Sequence, residues 1–506
     1  MKTIVEMRNI TKAFGQNVAN DSVDFVCKAG EVLCLLGENG AGKTTLMNIL
    51  YGLYKADSGE ILFSGSPVKI TGPRVAISMG IQMVHQHFML IPTLSVADNV
   101  VLGRETCKNG FYDRKEAHNK VLALSEEYGL QVSPDKLVEE LSVGEQQRVE
   151  IIKALYQGAK ILILDEPTAV LTPQEVEDLF KVINHLRESG KTVIIITHKL
   201  KETMAISDRI YVLRQGRMIG ERKTADTNIE ELSELMVGQK ITHLEKQIFE
   251  SDKNIIELKH VNLKGTNGVQ LLKDVSLTIR EKEILGIAGV EGNGQMELLE
   301  VLSGLCSAWE GDIIYMGKTL RGRKTADLLS SGISCIHADR QSYSVVMNLD
   351  VPHNMLMGYQ QTELYRKHKY FVDWKNIEKD SQALLEEYDV RPRDIQRRLM
   401  EFSGGNQQKF VVGREMKRAP KFLIAAHPTR GVDIMATAFI HDKLFEQKNS
   451  GGGVLLISSD LDELMEMSDR IAVIYDGQIV DCRPSGNYTN MELGRLMGGG
   501  RGDEQA

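Results

Sequence analysis

The stretch GENGAGKTT at residues 37–45, called the first loop below, matches the P-loop pattern. In that pattern, backbone N–H groups surround phosphate oxygens, a lysine reaches the β- and γ-phosphates, and a hydroxyl binds Mg²⁺. Lys43 and Thr44 supply the last two groups, and the loop lies between the apolar strand EVLCLL and a helix running towards Leu50. Because the motif requires this strand-loop-helix context, we predict that the whole loop binds a nucleotide's phosphates: Gly37, Glu38, Asn39, Gly40, Ala41, Gly42, Lys43, Thr44 and Thr45.

A second copy of this loop, GVEGNGQM at residues 289–296, has lost its reactive groups and is called the second loop. Its three glycines keep their spacing, displaced by 252 positions, but Gln295 replaces Lys43 and Met296 replaces Thr44. The repeat extends further, since SDRIYVLRQG at 207–216 returns as SDRIAVIYDG at 468–477. A long internal repeat predicts two copies of one fold. We place their boundaries at residues 4–240 and 255–499.

Length and composition exclude several classes of protein. The 506 residues exceed one ordinary domain and suit two of roughly 240 residues. No stretch approaches the ~20 apolar residues of a membrane span, and the N-terminus lacks the apolar segment of a signal peptide. The six cysteines form no C-x-x-C pair, which is typical of a reduced compartment without structural zinc. The formal net charge of −8 argues against a broad nucleic-acid surface.

Each half reads as an α/β domain in which buried parallel strands end at polar residues. In the first half, ILIL ends at Asp165, which is placed to hold Mg²⁺ through water, and Glu166 follows as the candidate general base. His198, after the next apolar strand, is either a γ-phosphate ligand or a satisfied, partly buried histidine. Gln86 is a candidate Mg²⁺ ligand that moves when the γ-phosphate leaves. Phe14 is either an adenine-stacking ring or a core aromatic.

A further motif precedes a long helix in both halves: LSVGEQQ at 141–147, the first signature segment, and FSGGNQQ at 402–408, the second. Ser142 and Glu145 fit a helix capping box, so the first segment by itself could be no more than a helix start. Its recurrence in both halves, each time ahead of a segment like ILILDEPT, favours a functional role.

The motifs GENGAGKTT, Gln86, LSVGEQQ, ILILDEPT and His198, in that order, resemble an ABC-type ATP-binding domain. The resemblance covers nearly the whole chain twice. It implies two tandem P-loop NTPase domains, each with a mostly parallel sheet core and a helical subdomain, and it implies ATP and Mg²⁺ as cofactors. In that family two such domains close head to tail, and each ATP lies between the P-loop of one and the signature helix of the other. Here both domains belong to one chain.

Head-to-tail pairing implies one complete site and one depleted site. The complete site joins the first half to the second signature segment and the loop PTRGVD, and its members are Lys43, Thr44, Gln86, Asp165, Glu166, His198, Ser403, Gly404, Gly405 and Asp433. The depleted site carries Gln295, Met296, Ala338, Ala426, His427 and Ser459, and it faces Val143 and Thr172. Hydrolysis is not expected there, because methyl and thioether groups do not coordinate Mg²⁺. Because its glycines survive, this site either holds a nucleotide without hydrolysing it or has a purely structural role.

Three classes of ATPase compete for the function. An importer subunit would work with two membrane permease subunits and an extracytoplasmic substrate-binding protein, at the cytoplasmic face of the cell membrane and without nucleic acid. Ribosome-associated tandem ATPases typically carry a long charged linker and two complete sites. DNA-repair or chromosome ATPases would show zinc-binding cysteine pairs or coiled-coil insertions. The short linker and the single complete site favour the importer.

Among importers, the asymmetric pair resembles the ATP-binding subunits of bacterial monosaccharide and nucleoside importers. The stretches GVEGNGQ, MVHQHFML and LIAAHPTRG are more similar to the nucleoside type, which works with basic-membrane-protein-type binding proteins. The monosaccharide type usually keeps an acidic pair before PTRG. His427 departs from the nucleoside type as well, where glutamine is usual. We therefore expect ATP-driven nucleoside import, with monosaccharide import as the alternative, and other subunits read the substrate.

Overall fold

The chain folds into two compact units, Met1–Ile241 and Thr242–Ala506. The structure, a computed structural model, describes residues 2–15, 17–86, 88–108, 110–169, 171, 173–238, 251–265, 267–360, 362–368 and 371–500. The predicted linker spans residues 241–254, and residues 241–250 of it lie outside the described residues. Within the described ranges, no helix is long and apolar enough to cross a membrane.

The first unit combines two main sheets, a small hairpin and surrounding helices. Its strands are β1 Thr3–Phe14, β2 Asn17–Lys28, β3 Val32–Leu36, β4 Ser58–Phe63, β5 Ser66–Val68, β6 Ile81–Val84, β7 Cys107–Lys108, β8 Phe111–Tyr112, β9 Ile161–Asp165, β10 Thr192–Thr197, β11 Arg209–Arg214 and β12 Arg217–Lys223. Its helices are α1 Lys43–Tyr51, α2 Pro73–Ser78, α3 Val96–Val101, α4 Arg114–Glu127, α5 Val143–Tyr156, α6 Pro173–Glu188, α7 Leu200–Ile206 and α8 Ile229–Val237, with 3₁₀ turns at Val138–Glu140 and Thr224–Asp226.

The second unit repeats this succession of described elements, with one additional short helix at Arg340–Tyr343. Its strands are β13 Asn254–Lys264, β14 Gln270–Arg280, β15 Ile284–Ala288, β16 Trp309–Tyr315, β17 Lys318–Thr319, β18 Ile333–Ile336, β19 Arg366–Lys367, β20 Phe371–Val372, β21 Phe422–Ala426, β22 Gly453–Ile457, β23 Arg470–Tyr475 and β24 Gln478–Pro484. Its helices are α9 Gln295–Leu302, α10 Thr325–Ser330, α11 Arg340–Tyr343, α12 Val351–Leu356, α13 Trp374–Glu387, α14 Gly404–Met416, α15 Ile434–Asn449, α16 Leu461–Met467 and α17 Asn490–Met497, with 3₁₀ turns at Leu399–Glu401 and Ser485–Asn487.

The strand order brings the polar strand ends of the first unit together. Its six-stranded sheet has the order β12-β11-β3-β10-β9-β6, and every pairing is parallel except that of β12 with β11. Every residue of β3, β9 and β10 is buried, as expected for parallel strands covered by helices on both faces. Because β10 lies between β3 and β9, the first loop, Asp165 and His198 follow three adjacent strands at one sheet edge. The second unit has the same order in β24-β23-β15-β22-β21-β18.

A helical subdomain interrupts each main sheet between its edge strand and the following parallel strand. In the first unit, α3, α4 and α5 pack on one another between β6 and β9; in the second, α13 packs against α12 and α14 between β18 and β21. Each subdomain also carries a two-stranded hairpin, β7-β8 or β19-β20, that the sequence pattern did not predict. The predicted fold class, with a mostly parallel core and a helical subdomain in each half, is confirmed.

Candidate nucleotide-binding and hydrolysis site

The first loop borders a cleft of about 450 Å³ at the carboxyl edge of the sheet. A Cβ at Gly42, where φ is 99°, would lie 2.1 Å from the carbonyl oxygen of Ala19, so only glycine allows the loop to approach β2 this closely. Asn17 and Ala19 also line the cleft, and sequence reasoning missed them because nothing marks them as a motif. The lining residues are Phe14, Asn17, Ala19, Asn39, Gly40, Gly42, Lys43, Thr44, Thr45, Gln86, Asp165 and Glu166.

The Lys43 ammonium group is buried and bonded to the first loop itself. Nζ donates to the carbonyl oxygens of Gly37 at 2.6 Å and Glu38 at 2.9 Å. Burial lowers the pKa of Lys43, and the negative charges of Glu166, Asp165 and Glu38 oppose that shift. An ammonium group has three N–H donors. With two of them on the loop, the third remains for a phosphate oxygen.

Thr44 and Asp165 form the part of the cleft that suits a divalent cation. Thr44 Oγ1 donates to Asp165 Oδ1 at 3.3 Å. Burial raises the pKa of Asp165 to about 6; the hydrogen bond from Thr44 opposes this, Glu166 adds to it, and Lys43 opposes it. A buried carboxylate of raised pKa is stabilised by a nearby cation, and hydroxyl and carboxylate oxygens are the ligands that Mg²⁺ prefers. These residues therefore fit Mg²⁺, which supplies neutralisation of phosphate charge when bound.

The Glu166 carboxylate is held from both sides. Its Oε1 lies 3.0 Å from Nδ1 of His198, and its Oε2 accepts a hydrogen bond from Nε2 of Gln86 at 3.1 Å. The hydrogen bond with His198 is the main cause that lowers the pKa of Glu166, so the carboxylate is ionised at neutral pH. An ionised carboxylate accepts protons, as a general base requires. The structure thus brings together the three predicted catalytic side chains, which are far apart in the sequence.

The backbone at Glu166 lies in the left-handed region, with φ at 46°. Such strain often marks a functional site. Its counterpart His427 has φ at 45°, although it lacks the carboxylate. In both units the amide of this residue donates to a neighbouring strand, to Ile196 O at 2.9 Å and to Ile457 O at 2.7 Å. The strained turn is therefore a feature of the fold, and the side chain alone distinguishes the two positions.

In the second loop, Gln295 replaces Lys43, and its side-chain amide forms hydrogen bonds with the backbone of the same loop. This side chain is only 6% exposed. Nε2 donates to the carbonyl oxygen of Val290 at 2.9 Å, as Lys43 does to Glu38, while Oε1 accepts from the backbone N–H of Asn293 at 3.1 Å. The amide is neutral and places an acceptor oxygen where phosphate binding needs donors. The second loop has therefore lost its cation, and one of its own N–H groups is engaged.

The remaining positions of the depleted site are apolar or neutral. Met296 and Ala338 pack against the apolar core of the second unit, and Ala426 is buried within it. Burial is the main cause that lowers the pKa of His427, so its ring is neutral at neutral pH. Ser459 is exposed just after β22. These side chains supply no carboxylate for a Mg²⁺ ion.

We expect Gln295→Lys to add no ATPase activity to the chain. The substitution restores a cation to the second loop, but Met296, Ala426 and His427 still provide neither a Mg²⁺ ligand nor an ionised base. Steady-state phosphate release by the purified variant checks this. The matched change Lys43→Gln should abolish activity, because it gives the first loop the residue found in the second. A rise of turnover in Gln295→Lys above that of the unmodified chain would contradict the assignment.

The two signature segments begin α5 and α14. Ser142 accepts from the backbone N–H of Glu145 at 3.2 Å, while Glu145 Oε2 accepts from the N–H of Ser142 at 2.7 Å, so the capping box is confirmed. Ser403 caps α14 by accepting from the N–H of Asn406 at 3.4 Å and from its Nδ2 at 2.8 Å. Both helix starts carry the partial positive charge that favours an anion.

A glutamine of each signature segment links its helix to the turn after the neighbouring strand. Gln147 Nε2 donates to Pro167 O at 2.8 Å, and Gln408 Nε2 donates to Pro428 O at 2.8 Å. Asp433 caps α15 by accepting from the N–H of Ala436 at 2.7 Å. Its counterpart Thr172 lies outside the described residues. Sequence reasoning missed the glutamine link, and its signal was the second glutamine that both segments share.

Comparison with known proteins identifies the family. A profile of the family described as ABC transporter matches residues 20–169 and 272–430. The chain is 44% identical to a guanosine import ATP-binding protein of Bacillus subtilis, with 99% of this chain and 98% of that protein covered. It is 43% identical to a nucleoside import ATP-binding protein of Lactococcus lactis, with 99% of each covered. It is 39% identical to a glucose import ATP-binding protein of Haloferax volcanii, with 99% and 96% covered.

The chain therefore belongs to the ABC transporter family. Because the two matched regions contain the two loops, it is the ATP-binding, ATP-hydrolysing component of such a transporter. The recognition of ABC-type ATP-binding domains from the motif order is confirmed.

Proposed function

We propose that this chain is the ATP-hydrolysing subunit of a bacterial importer and drives nucleoside uptake through two separate permease subunits. An extracytoplasmic substrate-binding protein delivers the nucleoside, and the chain works at the cytoplasmic face of the membrane. The observation that carries this proposal is full-length similarity to importer ATP-binding proteins together with the complete set of side chains in the cleft of the first loop. The relatives at 43% and 44% identity are named for nucleoside and guanosine import, whereas glucose import is named at 39%.

The side chains of the cleft divide the work of hydrolysis. Lys43 and the first loop hold the β- and γ-phosphates, and Thr44, Asp165 and Gln86 hold Mg²⁺. Glu166 takes a proton from the attacking water, and His198 keeps that carboxylate ionised and reports the γ-phosphate.

Phe14 stacks on the adenine. Its ring is 45% exposed at the cleft and packs edge-on against Tyr54, with ring centroids 5.3 Å apart. The Nζ of Lys12 lies 5.3 Å from the centre of the ring. The exposed part of the ring is therefore the surface offered to a base, which supports stacking over a purely structural role.

The complete site of the closed state joins the first loop to the second signature segment. We place the domain with the complete nucleotide cleft at residues 4–240 and the degenerate domain, with its intact signature segment, at 255–499. The distribution of altered residues supports this pairing. With it, all the motif residues that match the family pattern fall in one site, and all the residues that depart from the pattern fall in the other. If each half formed its own site, the working loop would face Val143, and the intact Ser403, Gly404 and Gly405 would face a loop without a cation.

Hydrolysis is coupled to transport through the helical subdomains. Gln86 contacts the base Glu166 and begins the segment that leads into α3 and α4. ATP binding selects the closed state of the halves, and loss of the γ-phosphate releases it. Motion of Gln86 then shifts the subdomain that docks on a permease subunit.

Uptake by the reconstituted importer tests this function. Membrane vesicles that contain the chain with the permease and binding protein encoded beside it should accumulate radiolabelled guanosine or another nucleoside when ATP is supplied inside. The same vesicles should not accumulate ribose or glucose. ATP-dependent uptake of a monosaccharide alone would favour the alternative substrate, and sedimentation with ribosomes in place of co-purification with a permease would contradict the importer.

A further inference from the structure

Three residues of the first unit, Thr168, Lys199 and Glu202, bond to one another in a closed ring, which is called the lysine bridge below. Thr168 Oγ1 donates to Glu202 Oε2. Lys199 Nζ donates to Glu202 Oε1 at 3.0 Å and to the carbonyl oxygen of Thr168 at 3.2 Å. Thr168 is only 3% exposed, so water competes little for its hydroxyl group.

The lysine bridge joins the two turns that carry the hydrolysis residues. Thr168 follows Glu166 by two positions, and Lys199 directly follows His198. Glu202 lies in the first turn of α7, the helix that begins after Lys199. The bridge is therefore a second side-chain link between these turns, beside the contact of 3.0 Å between Glu166 and His198.

The second unit keeps one part of this arrangement and lacks the lysine. Thr429 Oγ1 donates to Glu463 Oε1 at 2.7 Å, so the bond between threonine and glutamate is a feature of the fold. At the position of Lys199 the second unit has Asp460, whose carboxylate caps the first turn of α16. An ionised carboxylate has no donor for a carbonyl oxygen. The lysine thus occurs in the unit that has the candidate base, and it is replaced in the unit that has lost it.

We propose that Lys199 is a positioning residue for ATP hydrolysis: the lysine bridge holds the turn of Glu166 in place relative to the turn of His198. This inference rests on the proposed function, because it takes Glu166 as the general base. Lys199 is not among the residues that line the cleft, so it acts on the rate of hydrolysis and not on the binding of ATP. A displacement of about 1 Å at a reacting group can lower a rate by about 10²-fold.

Lys199→Met tests the inference, because methionine keeps an unbranched side chain and removes both bonds made by Nζ. In the purified full-length chain, kcat and kcat/KM for ATP should fall together by about tenfold or more, with KM changed by less than about twofold. The matched control is Asp460→Asn at the same helix position of the second unit. Asparagine caps a helix as well as aspartate does, so this control should keep its activity within about twofold.

The same substitution in a Glu166→Gln background separates positioning from a general effect on the fold. If Lys199 acts through Glu166, Lys199→Met should lower the residual single-turnover rate of Glu166→Gln by less than about twofold. Thr168→Val, which removes the hydroxyl donor of the bridge, should give the same pattern in both backgrounds. It is the second variant if Lys199→Met folds poorly.

Two results would overturn the role of Lys199. One is an unchanged kcat in folded Lys199→Met, and the other is an equal loss of rate with and without Glu166→Gln. If Glu166→Gln loses activity as expected and either result is found, the base stands and only the role of Lys199 is wrong. If Glu166→Gln itself keeps its turnover, the assignment of the base is wrong, and the inference fails with it.

Discussion

Glu166→Gln is expected to lower ATP hydrolysis by about 10²–10⁴-fold while ATP binding is retained. Glutamine has nearly the same shape, so contacts with His198 and Gln86 remain possible, but the amide does not accept a proton from water. Lys43 and the first loop are unchanged, and with them the phosphate cradle. Steady-state phosphate release and equilibrium binding of labelled ATP, measured on one preparation, check both halves of the expectation.

The matched control is His427→Gln, at the corresponding turn of the second unit. Both residues have the same left-handed backbone, so any general cost of substitution at this turn appears in both variants. His427→Gln should retain activity within about twofold, because the depleted site has neither a Mg²⁺ ligand nor an ionised base. Turnover in Glu166→Gln above about a tenth of the original would mean that a second hydrolytic site exists.

The parts of the site that follow strands could be predicted from the sequence. Asp165 and His198 each come directly after a wholly apolar strand, and parallel strands end at the same sheet edge. The first loop has a spacing that only a phosphate-binding turn requires. The strand repeat also placed Ala426 and His427 without a structure, because a single offset relates these positions to Asp165 and Glu166.

Contacts between residues that are far apart in the sequence and meet only through tertiary packing could not be predicted in this way. Arg340 lies beside Gly404 in space, although the whole helical subdomain separates the two residues in the sequence and no motif contains both. The meeting of Gln86 with Glu166 depends likewise on the packing of β6 beside β9. For Gln295 the sequence shows the lost charge, but only the structure shows that the amide is hydrogen-bonded within its own loop.

The proposed pairing of the first loop with the second signature segment predicts unequal effects for Ser403→Asp and Ser142→Asp. Aspartate is as good a helix cap as serine, and a negative charge suits a helix N-terminus, so α14 and α5 should both remain folded. The serines are better suited than the adjacent glycines. A Cβ at Gly144 would contact Glu175, and one at Gly404 would contact Arg340, so glycine variants carry local effects of their own.

In the proposed pairing, Ser403→Asp would place a carboxylate opposite the γ-phosphate of the complete site. A like-charge contact of this kind costs several kcal/mol, so ATPase activity should fall by about 10²-fold or more. In the same proposed pairing, Ser142→Asp would face the second loop, which is not expected to take part in hydrolysis, and it should retain activity within about twofold. Unchanged thermal unfolding of both variants is the control for misfolding.

The ratio of the ATPase rates of these two folded variants tests the account most directly. A rate for Ser403→Asp below about one twentieth of that for Ser142→Asp is the predicted result, since in the proposed pairing only the former charge would meet the hydrolysed phosphate. Equal rates, or a slower rate for Ser142→Asp, would contradict the head-to-tail pairing and the assignment of the complete site.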